Sequence, residues 1–403
     1  MADEYDVLIA GGGLVGASLA IALDGGGLRV ALAEAVAPRA DLMPSYDERN
    51  LALAGASVNA LRALDVLDAA APAQPIERIH VSRRGDFGSV RLDAKDMGLA
   101  AFGATIPARE LGNALLRRLD RCNGLARLAP AELIAVGTHA SHAAVRLRTP
   151  DGERDVQTRL LVGADGTESF VRRTLGIDVE RHDYGQSAFV TTLTLDKPLD
   201  GAAYERFTDS GPVALLPLGS NRAGLVLSVP TAEAPRIGAL DDDAFVAFVH
   251  ERFGWRAGRF SRPGKRKAFP LARALASRTT AQRIVLVGNA AQTVHPVGAQ
   301  GFNLGLRDAL TLAELLRDTA ETGADPGADA LLARHATRRA NDRSATTRFS
   351  DDLVRLMSRD FAPLRLVRSL GFHALDRIAP LKRRFALRGM GFRGDTPLLA
   401  LLR

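Results

Sequence analysis

The chain has 403 residues, of which 46% are apolar and 25% charged, with a single cysteine and a formal charge of +7. That length holds one large or two moderate cores, and a lone Cys122 excludes an internal disulfide framework and most cysteine metal sites, which fits a reducing compartment. The acidic start Met1-Ala2-Asp3-Glu4 lacks a secretory apolar core, and no run approaches the roughly 18 apolar residues of a spanning helix, so a soluble or peripheral protein is expected.

In chain order, residues 5–10 read as a buried parallel strand, Leu14 to Leu23 as a helix, and Leu28 to Ala33 as a second buried strand ending at Glu34. This is a βαβ unit. Ala56 to Leu67 and Arg109 to Leu119 show apolar positions at helical spacing. Residues 76–93 and 143–162 alternate in short runs like antiparallel hairpins, with Asp151-Gly152 as a turn signal. Strands are expected at 186–196, 212–218 and 223–229, giving a separate β-rich layer. A buried strand at Val285-Leu286-Val287 then precedes a mostly helical remainder, punctuated by Pro363 and Pro380. Residues 331–403 hold 16 Lys+Arg against 6 Asp+Glu, whereas the rest holds 37 against 40. That surplus suits an anionic membrane surface as well as a plain solvated face, while 5% aromatics and no recognisable motif argue against nucleic acid.

Gly11-Gly12-Gly13-Leu14-Val15-Gly16 satisfies G-x-G-x-x-G between a strand and a helix. In such a turn Gly11 permits the bend, Gly13 lets a pyrophosphate approach the backbone, and Gly16 lets helix and strand pack closely. Glu34 ends the second strand at a spacing suited to an acid that accepts from a ribose. The motif alone does not separate FAD from NAD(P). Asp165-Gly166 ends another apolar strand; Asp165 reads as a ribose acceptor or, more simply, as a turn before a helix capped by Ser169. In Asp47-Glu48-Arg49-Asn50, Arg49 is a candidate for a phosphate or flavin edge, or a solvated side chain, and Arg109 after Pro107 invites the same two readings. From Val285 to Asp308 a strand feeds a helix opening near Gly301 through a Gly-bearing loop, where unpaired amides and the helix dipole favour an electron-rich group. His295, beside Pro296, reads as a structural loop residue rather than an acid or base. The remaining histidines have no metal-ligand spacing, so no metal is expected.

These residues carry a resemblance. The chain resembles the class A flavoprotein monooxygenases of the para-hydroxybenzoate hydroxylase fold, and within them the ubiquinone-biosynthesis ring hydroxylases of the 2-polyprenyl-6-methoxyphenol hydroxylase type. It rests on the glycine motif with Glu34, on Asp47-x-Arg49, on Asp165-Gly166 leading to Ser169 and Arg172, and above all on the run from Gly288-Asn289-Ala290-Ala291-Gln292-Thr293 to Asp308. Tyr184-Gly185-Gln186, Glu205-Arg206-Phe207-Thr208, Leu216-Pro217-Leu218 and Phe361-Ala362-Pro363-Leu364 extend it along nearly the whole chain. Two departures are Leu225-Val226-Leu227, where relatives often have Trp, and Val297-Gly298-Ala299, where Ile-Ala-Gly is more usual.

The resemblance implies an α/β protein with α+β elements: a Rossmann-like FAD-binding domain (1–75, 100–175 and 276–345), an interleaved β-sheet substrate domain (76–99 and 176–275) and a helical C-terminal region (346–403). It implies FAD on Gly11, Gly13, Leu14, Val15, Gly16 and Glu34, with Arg49 and Arg109 near its phosphates and Asp165, Gly288 and Asn289 along it. Gln300, Gly301, Phe302 and Asn303 would bring amides to the flavin pyrimidine edge, and His295, Pro296, Val297 and Gly298 would shield the flavin from water. The implied reaction uses NAD(P)H and O2, through a flavin C4a-hydroperoxide, to hydroxylate a polyprenylated phenol in ubiquinone biosynthesis. Another FAD-dependent oxidoreductase of this fold, or an idle scaffold of the biosynthetic complex, is the alternative. A cytoplasmic protein is expected, with docking to the inner membrane or to other biosynthetic proteins as the further reading. Leu364, Val367, Leu370, Ala374, Leu375 and Ile378 form a helical stripe that is more often packed into a core than laid on a membrane.

Overall fold

A computed structural model describes residues 3–36, 49–67 and 73–401. Val7-Leu8-Ile9-Ala10 is apolar without alternation, and all four residues are fully buried, as a parallel strand covered on both faces requires. The strand Asp3–Ala10 pairs in parallel with Val30–Ala33 on one side and Gly152–Gly163 on the other, so Ile9 lies between Leu32 and Val162. Leu125–Leu128 and Ile284–Leu286 continue this sheet outward in parallel, and Thr280–Ala281 closes one edge antiparallel. One face packs Val7, Ile9, Leu32 and Val162 against the helices Leu14–Leu23, Ala108–Leu119 and Gln300–Thr322. The first of these helices is apolar all round and buried from Gly16 to Leu23, which is the setting such a helix needs. The opposite face is covered by the antiparallel arm Glu132–Thr138 and Ala143–Thr149.

Three local expectations shift. The second strand begins at Val30 instead of Leu28, because Gly25 and Gly27, both at positive φ, carry a turn up to it. The helix expected over 56–67 spans Gly55–Ala63 and is followed by Asp65 in the left-handed region at φ 55°. The hairpin expected at 143–162 exists, but its second strand keeps going: residues 152–158 pair antiparallel with Ala143–Thr149, and 156–163 pair in parallel with the first strand.

A second, mostly antiparallel sheet, with Ala202–Thr208 and Arg78–Arg83 paired in parallel, centres on the 17-residue strand Val179–Leu195. In order it runs Gln292–Thr293, Lys267–Ala276, Val179–Leu195, Arg222–Pro230, Gly211–Pro217, Ala202–Thr208, Arg78–Arg83 and Ser89–Asp93. Its two faces differ. Val213, Leu215, Leu225 and Leu227 are fully buried against Phe245, Val249 and Phe253 of the helix Asp242–Phe253. The alternate residues Ala214, Leu216 and Val226 are only half-buried. Over that second face lies Asn50, at the start of a small sheet made by Asn50–Ala54, Gly103–Pro107 and Gln74–Ile76.

The C-terminal region is helical over Asp329–Ser358, Ala362–Arg377 and Ala379–Gly389. The stripe expected to pack into a core is instead largely exposed: Val367 is 64% accessible and Leu370 54%. The helix is held by its other side, where Arg368, Ser369 and Phe372 are buried and the Arg368 guanidinium meets Asp86 at 2.8 Å. The buried ion pair decides which face turns inward, and an apolar count along the helix does not register it.

Candidate functional site

The glycine turn is built from close backbone approaches. Gly11 has φ +104°, and a Cβ there would lie 2.6 Å from the Ala164 carbonyl oxygen. A Cβ on Gly16 would fall 2.0 Å from the Gly11 carbonyl oxygen, so the turn admits no side chain at that position. Gly13 is the opposite case: nothing stands within 4 Å of where its Cβ would be. It is also the N-cap of Leu14–Leu23, with no side-chain cap and no acid in the first turn. The helix therefore presents unpaired amides and its positive dipole end to open space. Glu34 braces this turn, accepting from Gly12 N at 2.7 Å and from Val36 N at 3.1 Å.

The second helix N-terminus arrives from 286 residues further along. Val15 in the first turn of Leu14–Leu23 touches Gly288 and Gly305, whose own Cβ positions would approach it to 3.2 Å and 3.0 Å. Gly288 takes φ +60° and Gly298 φ +66°, and Ala299, in the left-handed region at φ 52°, is the N-cap of Gln300–Thr322. This helix too has no side-chain cap and no acid in its first turn. Buried Asn303 anchors it: Ala54 N donates to its Oδ1 at 2.9 Å, and its Nδ2 donates to Ala52 O at 2.9 Å and Ala299 O at 2.7 Å. Gln300 donates to Gly298 O and accepts from Arg393, while Gly301 and Phe302 stay partly accessible.

The Asp165-Gly166 loop joins the same region. Asp165 accepts from Ser169 Oγ at 2.5 Å and from Val171 N at 3.0 Å, and Ser169 caps Phe170–Thr174 through Arg172 N. The capping alternative thus describes the contacts Asp165 makes. Buried Arg172 ties the loop to the Gly288 turn by donating to Thr167 O at 2.7 Å and Ala290 O at 2.9 Å. Asn289 is exposed between buried neighbours, Arg109 is exposed in the first turn of its helix, and the exposed Arg49 guanidinium lies 5.8 Å from the Phe269 ring centre. Asp47, quoted with Arg49, lies outside the described residues.

His295 is 1% exposed, and its Nδ1 accepts from Val297 N at 3.1 Å, so the ring braces the Pro296-Val297-Gly298 loop. Burial pushes its pKa down to about 4, only partly offset by Asp351. Its ring stands edge-on to Tyr184 at 4.7 Å, and Tyr184 in turn donates to Asp351.

Sequence reasoning missed the support behind the second helix. Arg307 meets Asp342 at 2.7 Å, Arg339 meets Asp342 at 2.6 Å and Asp308 at 2.8 Å, and Gln292 donates to Asp308 at 2.5 Å. All are buried. Burial raises the Asp342 carboxyl, but Arg307 and Arg339 outweigh it and hold it below the usual carboxylate range. The available signal was the charged pair Arg307-Asp308 set among Leu304, Leu306, Ala309 and Leu310 of the helix. Among the described residues no cluster of His, Cys, Asp and Glu could hold a metal, and no helix is long and apolar enough to cross a membrane.

Comparison with known proteins matches residues 4–350 to a family described as FAD binding domain. Ubiquinone hydroxylase UbiL of Rhodospirillum rubrum is 38% identical over 387 residues, covering 96% of this chain and 89% of that protein. The 3-demethoxyubiquinol 3-hydroxylase of Escherichia coli is 31% identical over 383 residues, covering 94% and 96%. Among solved structures, p-nitrophenol 4-monooxygenase PnpA of Pseudomonas putida shares the fold with a TM-score of 0.79 at 17% identity, covering 98% of this chain and 99% of that one.

Proposed function

Since this chain belongs to the FAD-dependent monooxygenases of ubiquinone biosynthesis, we propose that it hydroxylates the ring of a polyprenylated phenol at the expense of NAD(P)H and O2. The observation that carries the reading is the meeting of two uncapped helix N-termini at Val15, Gly288 and Gly305. The residues fit FAD: the open space at Gly13 suits a pyrophosphate, and the partly accessible Gly301 and Phe302 suit the flavin pyrimidine edge. When bound, FAD supplies reducing equivalents from NAD(P)H and an activated oxygen for an electron-rich ring.

The chain's own residues orient and shield. Gly11 and Gly16 hold the first turn to one backbone path, and Glu34 faces the ribose end while bracing Gly12. Arg49 and Arg109 would hold its phosphates, and Asn289 and Asp165 would line the stretch between. Amides of the Gln300 to Asn303 turn stabilise negative charge at the flavin edge, worth about 0.3–2 kcal/mol for the dipole. The His295 to Gly298 loop excludes water from the reacting face. In this reading residues 1–75, 100–175 and 276–345 carry the cofactor, 76–99 and 176–275 the substrate, and 346–403 the helical extension. Purified protein should be yellow, with flavin absorbance near 450 nm, and removing it from its host should accumulate a ubiquinone precursor lacking one ring hydroxyl. An intact ubiquinone pool would refute the pathway; colourless protein that stays colourless with added FAD would favour the idle scaffold.

A membrane-facing role has its own support. Leu366, Val367, Leu370, Ile378 and Leu381 are exposed beside the exposed Arg377, Arg383 and Arg384. Such a surface suits the anionic membrane in which a polyprenylated substrate resides. Sedimentation with anionic liposomes should fall when Arg383 and Arg384 are both changed to Glu; unchanged sedimentation removes this role.

A further inference from the structure

Glu205 is an acid placed where the sheet should offer only apolar wall. It lies in mid-strand in Ala202–Thr208, opposite Ala214 on one neighbour and Val81 on the other. Alternation sends Tyr204 and Arg206 to the far face, where Tyr204 meets the Phe253 ring and Arg206 donates to Arg252 O. Glu205 therefore shares its face with Phe207, which packs with Val297 of the shielding loop. It also shares that face with Ala214, Leu216 and Val226, the half-buried residues of the inner side of the sheet.

Two features leave room beside this face. Glu205 is half-buried, in mid-strand. Beside it, nothing lies within 4 Å of the Cβ position of Gly298, whose N–H donates to the Glu205 carboxylate. Gly298 immediately precedes the N-cap of Gln300–Thr322, so the carboxylate stands next to the helix end assigned to the flavin. On the same sheet face, the Asn50 amide lies over Gly224, and its buried Nδ2 has no partner.

Neighbouring charges are already committed. Arg83, two residues along the adjoining strand on this face, binds Asp86, Asp209 and Met357 O. Asp351, on the helix Asp329–Ser358, is taken by Tyr184 and Arg273, and His295 is turned to Val297 N. Among the described residues no cation pairs with Glu205. Burial raises its carboxyl to about 7, with the Gly298 N–H pulling the other way.

We propose that Glu205 is the proton acceptor for the phenol: it takes the hydrogen bond of the ring hydroxyl and then its proton as the ring carbon accepts oxygen. The balance is simple. The O–H bond breaks toward the carboxylate, its electron pair enters the ring, and the ring attacks the electrophilic oxygen supplied by the reduced cofactor and O2. The O–O bond breaks as the ring takes one oxygen; the other takes up the proton that the hydroxylated carbon loses and leaves as water, which restores aromaticity, and Glu205 returns its own proton to the phenolate. A carboxyl that titrates close to neutral pH suits such transfer in both directions.

This rests on the phenol hydroxylase reading, and the test separates the two. The flavin-loaded protein is titrated with 4-nitrophenol, whose yellow anion reports its own ionisation, for wild type and Glu205→Gln. The glutamine keeps an acceptor for Gly298 N and cannot take a proton. In wild type the carboxylate and probe share one proton, so the bound probe should ionise at least one pH unit higher than free; Glu205→Gln should bring it back. With a prenylated phenol, kcat should fall by about 10²–10⁴-fold in the variant, and the loss of rate on lowering pH through about 7 should disappear. Equal probe ionisation in both proteins, or an unchanged rate profile, overturns the assignment of Glu205. Wild-type flavin that NAD(P)H does not reduce, or a wild type that binds no phenol, overturns the hydroxylase reading itself, whatever the variant does.

Discussion

The helices Leu14–Leu23 and Gln300–Thr322 bring uncapped N-terminal turns to one place, yet they are held there by different means. The first is fixed by what is missing. Gly11 and Gly16 let backbone touch backbone, and any side chain would collide. The second is fixed by what is present: Asn303 clamps the turn to Ala52 and Ala54, and the Arg307, Asp308, Arg339 and Asp342 network anchors the helix body. Glycine fixation leans on a single carboxylate, Glu34 at Gly12 N, whereas the fixation of the second helix depends on Arg307, Arg339, Asp308 and Asp342 all staying charged.

That contrast can be broken most forcefully at Asp342. Asp342→Asn leaves Arg307 and Arg339 buried without their shared counter-ion and should destabilise the fold by about 3–5 kcal/mol in urea titration. Because the native carboxyl is held below its unfolded value, the stabilisation is fully present above about pH 4 and is lost as pH falls further, so the variant should lose this acid-limb dependence.

On the glycine side, Gly16→Ala forces a Cβ against the Gly11 carbonyl and should cost about 3 kcal/mol, with loss of bound flavin. Gly13→Ala sharpens the comparison. Open space surrounds that Cβ, so melting of the flavin-free protein should hardly change while FAD binding weakens measurably. Asn303→Ala removes the clamp, leaving Ala54 N and Ala52 O unpaired, and should cost about 1–3 kcal/mol with weaker flavin retention.

The effect spread most gradually over pH belongs to His295. Its folded pKa, about 4, lies below the unfolded value, so its contribution is complete above about pH 6.5 and declines as pH falls toward 4. The slope from this one group is at most about 1.4 kcal/mol per pH unit. His295→Asn should flatten the stability profile between pH 6 and 5, leaving the part due to His80, also lowered to about 4 by burial and Arg256. An unchanged slope would assign the effect to other groups.

The parts of the fold that could be read in advance are those where one residue type answers one local demand. The run of Val7 to Ala10 demanded a covered strand, and the glycines at 11 and 16 demanded close backbone. The strand that pairs antiparallel over 152–158 and parallel over 156–163 could not be read so, because its change of partner is set by two distant segments. Arg339 and Asp342 look like any solvated pair on an arginine-rich helix until Arg307 closes on them from another helix. Glu205 sits in a quoted motif without an assigned role, because its surroundings come from the Gly298 loop, 93 residues away. The exposed Val367 stripe failed for the same reason: Asp86 holds the helix by its opposite side.

The contact of Val15 with Gly288 and Gly305 also sets an order of assembly. During synthesis the glycine turn leaves the ribosome well before its partner helix, which starts at residue 300. Closing so long a loop adds only modestly to the entropy cost, since that cost grows with the logarithm of loop length, but contacts at such separation slow folding. On the proposed placement of the flavin, cofactor capture would be a late event, and a chain interrupted before residue 300 would carry the dinucleotide signature without the second helix end proposed to hold it.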